Sequence, residues 1–326
     1  MEQIAFYSSG GTAVSFGSIL MTLAVGAAAC LFLRCYLGGG GKAAAAFAAV
    51  PLCIGFGLVL ARFFHWYSRA DGYGGFAAAM TDFSRGGFAL PGAFAGCLLA
   101  ACVTRLLFLH RNLPKMLDCM AVAGCAGISL GRLAGFFNSS DRGMVVPFRA
   151  LPLAYPVTNA VSGATEYRLA TFLLQAIAAF LLYILLASLY ARRGKRRDGD
   201  ICLLFLMLYG ASQIVLDSTR YDSLFFRSNG FVSVVQVLSA IALALGMLLF
   251  ALAAGRRRGF RWWYVPLWTG MAASIGGAGF MEYYVQRRGS EALFAYSVMS
   301  LCLAAGIGLT MILRAYSYGG KSGHRL

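Results

Sequence analysis

Residues 124–138 read Gly124-Cys125-Ala126-Gly127-Ile128-Ser129-Leu130-Gly131-Arg132-Leu133-Ala134-Gly135-Phe136-Phe137-Asn138. Gly127, Gly131 and Gly135 recur every fourth residue, so two overlapping GxxxG patterns share one helical face that another helix can approach closely. The one charged residue of this stretch, Arg132, sits inside an apolar run of about residues 116–137. A helix of that length spans a bilayer, and in lipid its backbone groups must be bonded within the segment. Working outward, eight more such runs lie at about 12–33, 43–65, 87–109, 169–190, 201–219, 230–254, 264–285 and 292–313. The pattern predicts nine membrane helices. Strand alternation is absent, which excludes a β-barrel.

Composition agrees. Of 326 residues, 60% are hydrophobic and 12% charged, and mean hydropathy is +0.71. A soluble domain carries about 45–50% apolar and about 25% charged residues, so soluble and disordered classes fall. The net charge of +16 would suit a nucleic-acid binder. The bases, however, form short clusters between apolar runs, as in a polytopic membrane protein, and no nucleic-acid partner is expected. The 40 glycines follow no three-residue period, which excludes collagen. Nine cysteines, an odd number without a CxxC pair, lie in or at the ends of apolar runs and read as small packing residues. Three histidines, His65, His110 and His324, are too few for a histidine metal cluster. Walker A, GxSxG and HExxH motifs are missing, so neither a metal nor a cofactor is expected. The first eleven residues hold one acid and no base, so the first apolar run is expected to remain as a helix rather than be cleaved.

The loops set an orientation. One alternating set holds seventeen lysines and arginines, the other nine, with Arg62 and Arg132 inside runs. The positive-inside rule then places the N-terminus outside and the C-terminus in the cytoplasm. The longest outer loop, Asn138 to Arg168, contains Pro147, Pro152 and Pro156, cannot be a regular helix, and is a functional candidate by its length. Gly38 to Gly41 reads as a flexible linker on the cytoplasmic side.

Ionisable groups inside membrane helices are costly and mark function or pairing. Arg62 and His65, within Ala61-Arg62-Phe63-Phe64-His65-Trp66-Tyr67, read as interfacial residues beside an aromatic belt, with Arg62 snorkelling. Arg132 lies about one turn from the outer end of its run. It suits a lipid phosphate or a carboxylate on a neighbouring helix, and snorkelling remains a third account. Tyr209, Gln213 and Asp217 are spaced i, i+4, i+8 and share one face. That polar stripe is expected to face the bundle, either as part of a site or as structural polar glue. Asp217 and Arg220, at i, i+3, are expected to pair.

At Gly131-Arg132-Leu133-Ala134-Gly135-Phe136-Phe137-Asn138 the chain resembles the signature G-R-[LI]-G-N-F-[IL]-N-x-E-x-x-G of the prolipoprotein diacylglyceryl transferase family. Leu60 to Phe64, Gly86 to Gly96 and Leu208 to Arg220 are similar to further family segments in the same order. The likeness covers roughly residues 12–254, seven of the nine runs. It implies an all-α polytopic membrane helix bundle with a transferase-like core over 1–254. Residues 255–326 then add a basic loop, two additional membrane helices and a cytoplasmic tail. The resemblance further implies a multi-pass protein of the bacterial plasma membrane. Such a protein moves a diacylglyceryl group from phosphatidylglycerol to the lipobox cysteine of a prolipoprotein signal segment, without a cofactor. By the same resemblance Arg132, Asp217 and Tyr209 are catalytic, and Arg132, Asn138, Gly143 and Arg220 hold the lipid phosphate. Five family positions are altered: Phe16 stands for a tyrosine, Pro91 for a histidine, Gly135 for an asparagine, Ser140 for an acid and Gln213 for an arginine. Three functions follow: a transferase with a rebuilt site, a non-catalytic homologue binding lipid or lipoprotein signal helices, or a small-solute transporter. The last would be expected to show paired repeats, which are not seen.

Overall fold

The computed structural model describes residues 5–9, 12–69, 72–81, 87–108, 112–137, 142–158, 163–192, 197–221, 223–226, 229–287 and 291–318. Its helices are α1 (Phe16–Gly38), α2 (Ala43–Ser68), a short α3 (Phe76–Thr81), α4 (Leu90–Leu107), α5 (Leu113–Arg132), α6 (Thr171–Ala191), α7 (Asp200–Ser218), α8 (Val234–Arg258), α9 (Tyr264–Arg287) and α10 (Ala292–Tyr318). A single 3-10 turn, Leu133–Phe136, extends α5. The protein is a multi-pass helical membrane protein: eight of these helices are long and apolar enough to cross a bilayer.

The expected ninth span, α9, is helical over 24 residues but is not among those eight. Gly270, Gly276, Gly277, Gly279, Trp268 and Thr269 dilute its apolar content. It nevertheless packs along α10: a Cβ on Gly270 would lie 2.7 Å from Leu309 and one on Gly277 3.1 Å from the Cys302 sulfur. Trp263, just before its start, packs edge-on against Tyr316 at 4.8 Å, and Glu282 near its other end accepts a hydrogen bond from Ser218 at 2.8 Å.

Helix ends follow from local chemistry. Ser15 caps α1 by accepting from the Ser18 amide at 3.1 Å. Ser233 and Gln236 form a reciprocal capping box at the start of α8. Prolines occupy the first turns of α4 and α5, where a missing N–H is harmless. The start of α7 is capped from another helix: buried Asp118 on α5 accepts from the amides of Gly199 at 2.9 Å and Cys202 at 2.8 Å.

Glycines let helices touch. A Cβ on Gly92 would lie 2.2 Å from the Leu60 carbonyl oxygen, and one on Gly96 would lie 2.5 Å from the Gly57 nitrogen, so α4 lies directly on α2. The expected glycine face of α5 meets two helices. A Cβ on Gly127 would come within 2.9 Å of Ala28 on α1, and one on Gly135 within 2.5 Å of Phe172 on α6. Gly131 is looser, facing the flexible Met21 at 3.3 Å.

Lys115 Nζ donates to the Gly39 carbonyl, Arg314 Nη2 meets Asp200 at 2.5 Å, and the Arg258 guanidinium lies 5.1 Å from the Tyr316 ring. The ends of α1, α8 and α10 and the starts of α5 and α7 therefore share one face, called here the basic face. The Gly38–Gly41 segment on it is a packed turn rather than a loose linker, because a Cβ on Gly41 would strike the Tyr36 ring at 2.4 Å.

The opposite face carries structure the sequence pattern did not show. Three antiparallel hairpins pair β1 (Ala5–Ser9) with β2 (Thr12–Ser15), β3 (Ala154–Thr158) with β4 (Thr165–Leu169), and β5 (Phe225–Phe226) with β6 (Asn229–Ser233). Strands of two to five residues are too short to register as alternation.

Candidate functional site

The last two turns of α7 and the end of α5 meet on the face opposite the basic one. On α7 the expected stripe is buried: Tyr209 is 7% exposed, Gln213 2% and Asp217 1%. Each member is engaged differently. The ring of Tyr209 packs on Phe94 of α4 at 5.6 Å and on Phe205 at 5.2 Å. Its hydroxyl faces the Arg132 guanidinium, which interacts with it by charge and by hydrogen bonding. Gln213 Oε1 accepts from Gln175 Nε2 of α6 at 3.2 Å. Asp217 pairs with Arg220 at 3.3 Å, as the i, i+3 spacing led one to expect, and accepts from Ser223 at 3.3 Å and from Ser233.

Arg132 is half-buried at the C-terminal end of α5. Asp217 feels two positive neighbours, Arg220 first and Arg132 second. The carboxylate envisaged as one partner for Arg132 is thus held chiefly by another arginine. Arg132, Tyr209, Asp217 and Arg220 form one electrostatic cluster, with two guanidinium groups around one carboxylate.

A β-layer lies over this cluster. Gly143 and Arg220 form an isolated antiparallel bridge, and Val145 forms another with Arg168. The Gly143 amide donates to the Leu169 carbonyl at 2.8 Å, and the Met144 amide donates to the Thr219 carbonyl at 2.9 Å. A Cβ on Gly143 would lie 2.5 Å from Thr171 Oγ1, so only glycine lets the strand lie this close to α6. The Thr171 and Thr219 hydroxyls, 3.1 Å apart, tie α6 to the end of α7. Asn138, Ser140 and Asp141 lie outside the described residues.

The altered positions sit around the same region. Phe16 stacks on Phe137 at 5.6 Å, five residues beyond Arg132. Gly135 abuts Phe172. Pro91 opens α4, one turn before the Phe94 that packs on Tyr209.

Arg62 departs from its expected interfacial role. It is 2% exposed, donates to the carbonyls of Ala79 at 2.6 Å and Gly87 at 2.8 Å, and lies over the rings of Tyr73 and Phe88. It holds α3 and the entry to α4 together. Gly87 has φ +89 and its missing Cβ leaves room for the His65 ring, whose Nδ1 lies 3.2 Å from the Tyr73 hydroxyl. Ser223, Ser233 and Gln175 were also missed. A Ser-x-x-Gln start at Ser233 and a lone amide in an apolar run at Gln175 were the available signals.

Fold and site together define a polytopic helical membrane protein with a buried, arginine-flanked polar cluster at one face. Comparison with known proteins narrows the class. The prolipoprotein diacylglyceryl transferase family model matches residues 3–252, so the chain belongs to that family. It is 28% identical over 203 residues to the phosphatidylglycerol–prolipoprotein diacylglyceryl transferase of Finegoldia magna, covering 62% of this chain and 74% of that relative. It is likewise 28% identical to the enzyme of that name from Streptococcus sanguinis, covering 58% and 72%. Against the Thermotoga maritima protein of the same name it is 29% identical, covering 49% of this chain and 54% of that one.

Proposed function

We propose that this protein binds the phosphate of phosphatidylglycerol at the Arg132–Arg220 cluster and transfers the diacylglyceryl group to the lipobox cysteine of a prolipoprotein. The observation that carries the reading is the buried Tyr209 hydroxyl set beside the Arg132 guanidinium, next to the Asp217–Arg220 pair. It is a donor suited to an anion's oxygen. The thiolate sulfur bonds to the diacylglyceryl carbon as the bond from that carbon to the phosphate oxygen breaks, and glycerol phosphate leaves with the electron pair. Arg132 and Arg220 offset the charge on the departing phosphate. Thiolate is the nucleophile, so the thiol proton passes to a base, and Asp217 is the buried carboxylate at hand. Gly143 shapes the site by close packing, since its amide is already committed to Leu169; Asn138 would add a polar contact.

The same reading sets the site on the outer leaflet of the bacterial plasma membrane, with the basic face cytoplasmic and the N-terminus outside. Within it, α9 is a ninth crossing, and the chain divides near residue 254 into a transferase-like core and an appended hairpin. One observation favours lipid binding without transfer. Gln213, where the family has arginine, is a neutral amide already bonded to Gln175. The two outcomes separate in one experiment: full-length protein in phosphatidylglycerol vesicles with a lipobox peptide, followed by mass spectrometry. A diacylglyceryl adduct on the peptide supports transfer. Bound phosphatidylglycerol without an adduct supports the binding-only alternative.

A further inference from the structure

The family match ends at residue 252, inside α8, and leaves α9 and α10 without an assigned role. These two helices grip both ends of α7. At the basic face Arg314 of α10 contacts Asp200, the first residue of α7, at 2.5 Å. At the opposite face Ser218, the last residue of α7, donates to Glu282 of α9 at 2.8 Å, and the Tyr296 hydroxyl of α10 donates to the Ser218 carbonyl at 3.2 Å. Between the ends, α10 packs on α8: a Cβ on Gly306 would lie 2.9 Å from Met247 Cε. Ser218 lies next to Asp217 in the chain and two residues from Arg220. The hydrogen bonds to Glu282 and from Tyr296 therefore fix the turn from which Asp217 and Arg220 project.

We infer that the appended α9–α10 hairpin is a working part of the anion site, with Glu282 and Tyr296 as positioning residues that hold Asp217 and Arg220 in register with Arg132, an inference that rests on the phospholipid-binding reading above. Neither side chain touches the phosphate in this account. Each acts through Ser218. Holding a short polar turn rigid matters because a displaced guanidinium loses its directional bonds to phosphate oxygens while the helix itself stays intact.

The test uses the full chain in phosphatidylcholine nanodiscs titrated with phosphatidylglycerol, reading retained phosphatidylglycerol by mass spectrometry and thermal stability in parallel. Glu282→Ala and Tyr296→Phe should each raise the half-saturating phosphatidylglycerol fraction about 3–10-fold, as a loss of about one hydrogen bond predicts, with melting close to the parent's. Glu282→Gln should restore binding, because its amide oxygen still accepts from Ser218. A merely structural hairpin would lower melting without this rescue. If Glu282→Ala fails to fold, Tyr296→Phe, which removes a single oxygen, still decides. Parent-like binding by Tyr296→Phe, or Glu282→Gln as weak as Glu282→Ala, overturns the inference. If Arg132→Ala binds as the parent does, or the parent binds no phosphatidylglycerol, the phospholipid reading fails and takes the inference with it. If Arg132→Ala abolishes binding while the hairpin variants match the parent, the inference fails alone.

Discussion

Gln175 on α6 and Gln213 on α7 meet amide to amide at 3.2 Å, both buried, with Gln213 one turn from Tyr209 and one turn from Asp217. This pair closes the middle of the polar stripe without a charge. Removing either partner strands the other inside the bundle. Gln213→Leu is expected to destabilise the protein by about 1–3 kcal/mol, and Gln175→Leu combined with Gln213→Leu to recover part of that loss. Thermal melts in one detergent, arranged as a double-mutant cycle, check it.

Asp217 is the hub of the site's hydrogen bonds, with Arg220, Ser223 and Ser233 converging on it. Asp217→Ala removes the ion pair with Arg220 and the acceptor for Ser223 and Ser233. A loss of about 3–5 kcal/mol is expected, read as a lowered melting temperature. Ser233→Ala removes one hydrogen bond and a helix cap, and should cost about 1 kcal/mol.

Close glycines should tolerate nothing larger, and open ones should. Gly92→Leu and Gly135→Leu drive side chains into the Leu60 carbonyl and the Phe172 ring, so each is expected to cost about 1–3 kcal/mol or to block folding. Gly131→Leu, facing Met21, should cost less than either. Gly124→Ala meets nothing within 4 Å and should be neutral or stabilising by up to about 1 kcal/mol. Expression and melting of the four variants test the ranking.

Arg62→Met keeps the aliphatic stem but loses the bonds to Ala79 and Gly87. Two charge-assisted hydrogen bonds are worth about 1.5–3 kcal/mol each. The variant should melt earlier, and protease should cut first between α2 and α4, where those carbonyls lie.

Much of the architecture was legible because membrane helices announce themselves by length and apolarity, and loop charges sort their ends. The ninth run overstated itself: it is helical, but its glycines and polar residues dilute its apolarity. The hairpins at the site were illegible because each strand is too short to carry a period. Within the site, the i, i+4, i+8 spacing places Tyr209, Gln213 and Asp217 on one side of α7, and the i, i+3 spacing pairs Asp217 with Arg220 just beyond its end. Partners contributed by distant helices could not be read from spacing. Gln175, Ser233, Glu282 and Asp118 are near their partners only through tertiary packing, and a lone polar residue in an apolar run does not say whom it faces. Arg62 shows the same limit, since an arginine beside an aromatic cluster reads as interfacial until a short helix folds over it.

Orientation is checked by reporters. Fusions within residues 255–263 and at the C-terminus should both report the cytoplasm. A sandwich fusion at residues 288–290 should report the exterior if α9 crosses the membrane, and the cytoplasm if it does not.

The central claim is that Arg132 holds a lipid phosphate. The most direct measurement is mass spectrometry of lipid retained by the full chain and by Arg132→Ala, purified alike from membranes containing phosphatidylglycerol, with melting recorded for both. The account predicts that Arg132→Ala melts near the parent and loses its phosphatidylglycerol. An Arg132→Ala protein that keeps the lipid, or that unfolds and is partly rescued by adding Asp217→Ala, would contradict it.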